Sequence, residues 1–256
     1  MQKKFIFFLG GHDAEMLTIR QILVERKIMF HDKNLAWGAA LSSYREELNK
    51  CPKNKIPVLI ELRLDMEYPE RSIVIDHHND RAGKFHLTSI EQTAELLGVK
   101  LNRYQQLISA NDRGHIPAMR ELGAAPEEIH NIRLYDRQCQ GVTPEDEAGA
   151  EEAIKTRSEE LTPEAIYVRS LSEKTSPVMD RLYDKYKHMF IVTPSNDLSY
   201  FGPGSMINRL EEVYTQIKAE HPEILSWKGG NLPDYGFFGS TVSIDREYII
   251  RLLHEH

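Results

Sequence analysis

Apolar residues in the first half of the chain come in short continuous runs, separated by stretches where they recur every three or four positions. Lys4 to Leu9 is such a run and predicts a buried strand, stopped by Gly10-Gly11. Leu17, Ile19, Ile22 and Leu23 then carry helical spacing, so His12-Asp13-Ala14-Glu15 falls between a strand and a helix. Ile28 to His31 predicts a second strand, and Leu35 to Leu48 a helix. Ile56 to Ile60 predicts a third strand, ending at Glu61. Ser72 to Ile75 predicts a fourth, which runs into Asp76-His77-His78-Asn79-Asp80. Strands alternating with helices favour a mainly parallel sheet, and such a sheet brings its carboxyl-terminal strand ends to one edge.

Further along, Ser89 to Leu97, ended by Gly98, and Leu101 to Ala110 read as helices. The second stops at Asn111-Asp112-Arg113-Gly114. Ile116 to Leu122 and Glu127 to Leu134 give short helical patterns. Thr143-Pro144 opens an acidic, alanine-rich helix running to Arg157. After Leu161-Thr162-Pro163 the pattern changes. Ile166 to Ser170 and Met189 to Thr193 read as strands around a helix from Pro177 to Lys187. Ser199-Tyr200-Phe201 reads as an edge strand and Met206 to Lys218 as a helix. A glycine-rich stretch, Trp227 to Gly230 and Gly236 to Ser240, precedes a strand Thr241 to Ile244 and a helix Arg246 to Leu253. The expected fold class is therefore α/β. A mainly parallel N-terminal domain, residues 1–160 with the connecting helix, would be followed by a second, smaller α/β domain, residues 161–256.

Composition narrows the function. The 256 residues carry a formal net charge of -7, which disfavours long double-stranded nucleic acid as a partner. Cys51 and Cys139 form no CxxC pair and read as unpaired thiols of a cytoplasmic protein. The apolar start is too short for a signal peptide. No stretch reaches the length of a spanning helix, so no membrane partner is expected. A homodimer is left open. Gly10-Gly11 lacks the GxGxxG spacing of a dinucleotide-binding turn.

The candidate chemistry lies at the strand ends. Asp13, Glu15, Glu61, Asp76, His77, His78 and Asp112 are carboxylates and imidazoles, the donors that Zn²⁺, Mn²⁺ or Fe²⁺ use. Two such ions can clamp a phosphate and activate a hydroxide.

These motifs resemble those of the DHH phosphoesterase superfamily. Asp76-His77-His78 after an apolar strand is similar to its namesake motif. Asp112 in Asn111-Asp112-Arg113-Gly114 resembles its later metal-binding aspartate, and Asp13-Ala14-Glu15 resembles its Asp-x-Asp. Glu61 falls at the bridging aspartate, and Gly229-Gly230 resembles its substrate loop. The resemblance implies that Asp13 holds a first ion and Glu61 bridges, while Glu15, His77 and Asp112 hold a second. His78 would face the phosphate, Asp76 would orient a histidine, and Arg113, Gly229 and Gly230 would contact substrate. It implies a phosphoesterase using one or two Mn²⁺ ions on a small nucleotide, dinucleotide or short oligonucleotide. Leu9 stands where the family carries a metal-binding histidine, and Glu15 and Glu61 replace aspartates. These departures motivate the alternative of a silent or altered member acting as a nucleotide-binding or regulatory module.

Overall fold

The computed structural model describes residues 4–36, 38–77 and 86–254. Two compact units divide between Gly141 and Val142.

The first unit contains β1 (Phe5–Leu9), α1 (Ala14–Glu25), β2 (Met29–Asp32), α2 (Arg45–Asn49), β3 (Ile56–Ile60) and β4 (Ile73–Ile75). Helices α3 (Ser89–Leu97), α4 (Arg103–Glu121) and α5 (Pro126–Cys139) follow. The four strands form one parallel sheet in the order β2-β1-β3-β4. Leu9 pairs with both Asp32 and Ile60, and Ile60 pairs with Ile75, so all four strands end level with one another.

Burial on both faces explains the unbroken apolar runs. Phe7 and Leu9 face a core with Ile19, Leu23, Val58 and Ile90. Ile6 and Phe8 face the other way, against Leu41, Tyr44, Leu48 and Leu59. The helix expected from Leu35 is shorter than its pattern implied. Gly38 takes a positive φ and Ala40 bridges to Arg63, so helical turns begin only at Leu41, as a 3-10 segment leading into α2. Capping is local. Asp13 caps α1, Thr88 and Glu91 box α3, and Asn102 and Gln105 box α4.

The second unit contains α6 (Pro144–Thr156), β5 (Ser158–Thr162), β6 (Ala165–Arg169), α7 (Ser176–Leu182), β7 (His188–Val192) and β8 (Leu198–Gly202). Then come α8 (Gly204–Glu220), β9 (Ser226–Asn231), β10 (Tyr235–Ser240) and α9 (Arg246–His254). Its six strands form a mixed sheet in the order β5-β6-β7-β8-β10-β9, with only β6 and β7 parallel. Ala150 and Ala153 of α6 pack on Ile166, Val168 and Val178. The connecting helix therefore groups with the second unit rather than the first, and a boundary at 160 would cut through β5. Ser199 to Phe201 lies in an interior strand, because β10 covers the side expected to be free. Thr241 to Ile244 is not a strand; β10 ends at Ser240.

Tyr44 ties the first sheet together at the carboxyl-terminal end of its strands. Its buried hydroxyl donates to Leu9 O at 2.6 Å and accepts from Lys33 N at 2.9 Å. It thus pairs a carbonyl at the end of β1 with an amide just beyond β2. Burial pushes the phenol up to about 12, so it stays a donor at every physiological pH. Tyr44→Phe leaves both backbone groups without that partner. The expected loss is about 1–3 kcal/mol of unfolding free energy, read from denaturant titrations.

Candidate metal centre

The level strand ends set the site. Gly10 N donates to Ile60 O, and Glu61 N donates to Ile75 O, which carries the ladder one step past β1 and β3. A side chain at position 10 would put its Cβ 2.4 Å from Glu61 O and 2.8 Å from Ile60 O, so only glycine lets the two segments approach. Glu61 itself takes φ +49, a left-handed conformation uncommon for a residue with a side chain. It turns the chain sharply as it leaves the sheet.

Asp13 caps α1 and Glu15 lies in its first turn. Asp13 Oδ1 accepts from Met16 N at 2.8 Å, the N-cap bond. Glu15 is 2 % exposed, and its Oε1 accepts from Ile90 N at 2.9 Å. Two residues beyond β4, His77 is buried and its Nδ1 lies 2.9 Å from Asp112 Oδ2. Asp112 sits in the last regular turn of α4 before a break. Gly114 and His115 leave helical geometry there, His115 with φ +58. The sequence expected a helix stop at this turn; the chain kinks and resumes.

Glu15 lies within electrostatic reach of Asp112, Glu61 and Asp13. Burial holds the Glu15 carboxyl well above the usual carboxylate range. The negative charges of Asp112, Glu61 and Asp13 push it further, against the opposing bond from Ile90. Glu15 Oε2 and His77 Nε2 are buried and make no hydrogen bond among the described residues. Asp112 Oδ2 is likewise buried without a hydrogen bond among the described residues, and buried polar atoms are normally satisfied, so such atoms gathered beside acids need a reason. In donor type the set fits a divalent cation: carboxylate oxygens and a neutral imidazole nitrogen.

The expected convergence on one common point is not reached. Among the described residues, no three His, Cys, Asp or Glu side chains stand close enough to hold an ion as placed. The local bonds explain this. Asp13 caps its helix, Glu15 Oε1 is drawn to Ile90, and His77 Nδ1 faces Asp112. Leu9 lies in the first core beside Met16, Ile60 and Ile75, so that position is structural here.

The remaining expectations divide. Gln92 Nε2 donates to the backbone oxygen of Asp76 at 2.9 Å. Arg113 is paired with Glu91, which also accepts from Thr88 N. His78 lies outside the described residues. Gly229 and Gly230 fall in the β9–β10 hairpin of the second unit, where the ring of Phe237 covers Gly229 and the indole of Trp227 covers Gly239. Both rings remain partly exposed. Reading the sequence missed Arg133 and Asp136, buried on α5 beside Ala14 and Asn111. The signal was present as polar residues at positions 133, 136, 137 and 140, the spacing of one helix face.

No protein-family model matches the chain, and no curated protein matches it in sequence. Among solved structures, it is similar to the DHH domain of a member of a ribosomal-protein family. The TM-score is 0.55 at 11% identity, over 99% of this chain and 86% of that one. RecJ from Thermus thermophilus, in complex with Mn²⁺, gives 0.44 at 12% identity, over 99% and 51%. An exonuclease RecJ bound to manganese gives 0.40 at 12%, over 99% and 89%. The chain thus has the α/β fold of a DHH-domain protein. Its parallel N-terminal sheet and mixed C-terminal sheet follow that architecture.

The raised proton affinity of Glu15 has a measurable sign. The folded state binds this proton more tightly than the unfolded chain, so the metal-free protein is favoured at low pH. That stability is lost as pH rises from the ordinary carboxylate range through the raised value. Glu15→Gln removes the titration while keeping an acceptor for Ile90 N. In chelator, the variant should melt above wild type at about pH 8, and the gap should close towards about pH 4. Thermal unfolding across pH checks it.

Proposed function

We propose that the chain is a Mn²⁺-dependent phosphoesterase acting on a small nucleotide, dinucleotide or short oligonucleotide. The carrying observation is Glu15: a buried carboxylate beside Asp13, Glu61 and Asp112, with one oxygen unbonded among the described residues. Charges gathered in this way are stabilised either by protonation or by a cation. Asp13, Glu15, Glu61, His77 and Asp112 would hold one or two ions. Mn²⁺ suits this mixture of oxygen and imidazole donors better than Mg²⁺. A bound ion would polarise the phosphate and lower the pKa of water.

The protein's own groups supply the rest. Asp112 Oδ2, 2.9 Å from His77 Nδ1, would orient the imidazole ring and leave Nε2 for an ion. Asp76, in the turn after β4, would orient a neighbouring histidine. His78 would face the phosphate. Arg113 would exchange Glu91 for a substrate phosphate. In the second unit, Gly229 and Gly230 would let backbone approach substrate. The partly exposed rings of Trp227 and Phe237 beside them offer flat surfaces on which a base can stack. The charge of -7 favours a short substrate with few phosphates over a long polyanion.

The alternative is a silent or altered member that binds a nucleotide without hydrolysing it. The burial of Leu9 in the core and the absence of three converging donors among the described residues favour it. Activity separates the two. Wild type should hydrolyse a mononucleotide, dinucleotide or short RNA only when Mn²⁺ is added, with the rate rising over a wide concentration range. His77→Ala should remove most of the rate, because a ligand to the ion is lost, whereas His78→Ala should lower turnover by roughly 10²–10³, the scale for removing one charge-stabilising contact. A wild type inactive on all three substrates at millimolar Mn²⁺ would leave the binding reading.

A further inference from the structure

Helix α5 turns charged residues inward. Arg133, Asp136 and Arg137 are all buried, although they stand where a packed helix usually places apolar side chains. Arg133 Nη1 donates to Asp136 Oδ2 at 2.8 Å and to Asn111 Oδ1 at 2.9 Å. Gln140 Nε2 donates to the same Asp136 oxygen at 3.0 Å. The other oxygen, Asp136 Oδ1, accepts from Ala14 N at 3.3 Å.

The addresses of these bonds matter. Ala14 lies between Asp13 and Glu15, and Asn111 immediately precedes Asp112. One buried ion pair therefore holds both segments that carry the acids of the candidate centre. Its carboxylate serves one of the amides that a helix start leaves without an intrahelical partner. Its guanidinium fork reaches the side chain next to Asp112.

Stability alone does not account for this arrangement. A buried ion pair is often no more stabilising than well-packed apolar residues of similar volume. What apolar residues could not supply is directional bonding to Ala14 N and Asn111 Oδ1. Ligand groups must be held within about 0.5 Å of their working geometry by supports of this kind. We infer that Arg133 and Asp136 are positioning residues: they fix the separation between the Asp13–Glu15 turn and Asp112, and so set the spacing of the ion-binding groups. This inference rests on the metal reading given above.

The test replaces the pair by apolar residues of similar size. In the full-length protein, Arg133→Met with Asp136→Leu should melt in chelator within a few degrees of wild type. Its Mn²⁺ affinity, followed as free Mn²⁺ by electron paramagnetic resonance, should fall about 10–100-fold. Asn111→Ala cuts only the attachment to α4 and keeps the ion pair. It should weaken Mn²⁺ binding about tenfold with the fold intact, which preserves the test if the double variant does not fold. Variants that fold and bind Mn²⁺ as tightly as wild type would overturn the positioning role alone. A wild type that binds no Mn²⁺ would remove the metal reading and this role with it.

Discussion

Mutual repulsion among acids at the end of a parallel sheet is the constraint on which the first unit depends. Four strands stop level with one another, and the turns after β3 and β4 bring Glu61, Asp76 and His77 to the same edge. Helix α1 adds Asp13 and Glu15, and α4 adds Asp112. Glu15 is buried as well as surrounded, so its carboxyl favours the protonated form. Clustering acids in low dielectric opposes folding, and a chain that does so without a counter-ion or proton would be disfavoured.

Several features of the fold make sense as means of holding that arrangement. Gly10 allows β1 and β3 to continue in contact past their last paired residues. Tyr44 closes the far side, between the end of β1 and the start of the segment after β2. The left-handed turn at Glu61 and the break after Arg113 change the direction of the chain beside the acids. Backbone of this kind is tolerated where surrounding structure over-determines it, and it concentrates at functional sites. The Arg133–Asp136 pair on α5 bonds to Ala14 at the start of α1 and to Asn111 of α4.

The first sheet was legible because its central strands β1 and β3 are buried on both faces, so continuous apolar runs ended in polar turns at recognisable places. Strand β3 was read with its observed bounds, and the acids at the strand ends were found from position alone. The second unit was harder. Strand β5, Ser-Glu-Glu-Leu-Thr, is a largely exposed edge with no apolar alternation, so nothing in its pattern announced a strand. Without it, the helix Pro144–Thr156 had no sheet to join, and the domain boundary was placed too late. The contacts Glu15 to Ile90 and Asp136 to Ala14 span 75 and 122 residues. Such pairings come from tertiary packing, which periodicity does not encode. Asp13 illustrates a further limit, since one residue serves as both helix cap and candidate ligand.

The proposed function makes one structural claim, motivated by the unbonded Glu15 Oε2 and His77 Nε2: a divalent cation would sit at this sheet edge. The direct measurement is anomalous diffraction from crystals grown with Mn²⁺. The account predicts an anomalous peak at the end of β3 and β4, bonded to Glu15 and His77 with at least one of Asp13, Glu61 and Asp112. A fully formed crystal structure with no manganese at that edge, and with Glu15 protonated beside Asp112, would contradict it.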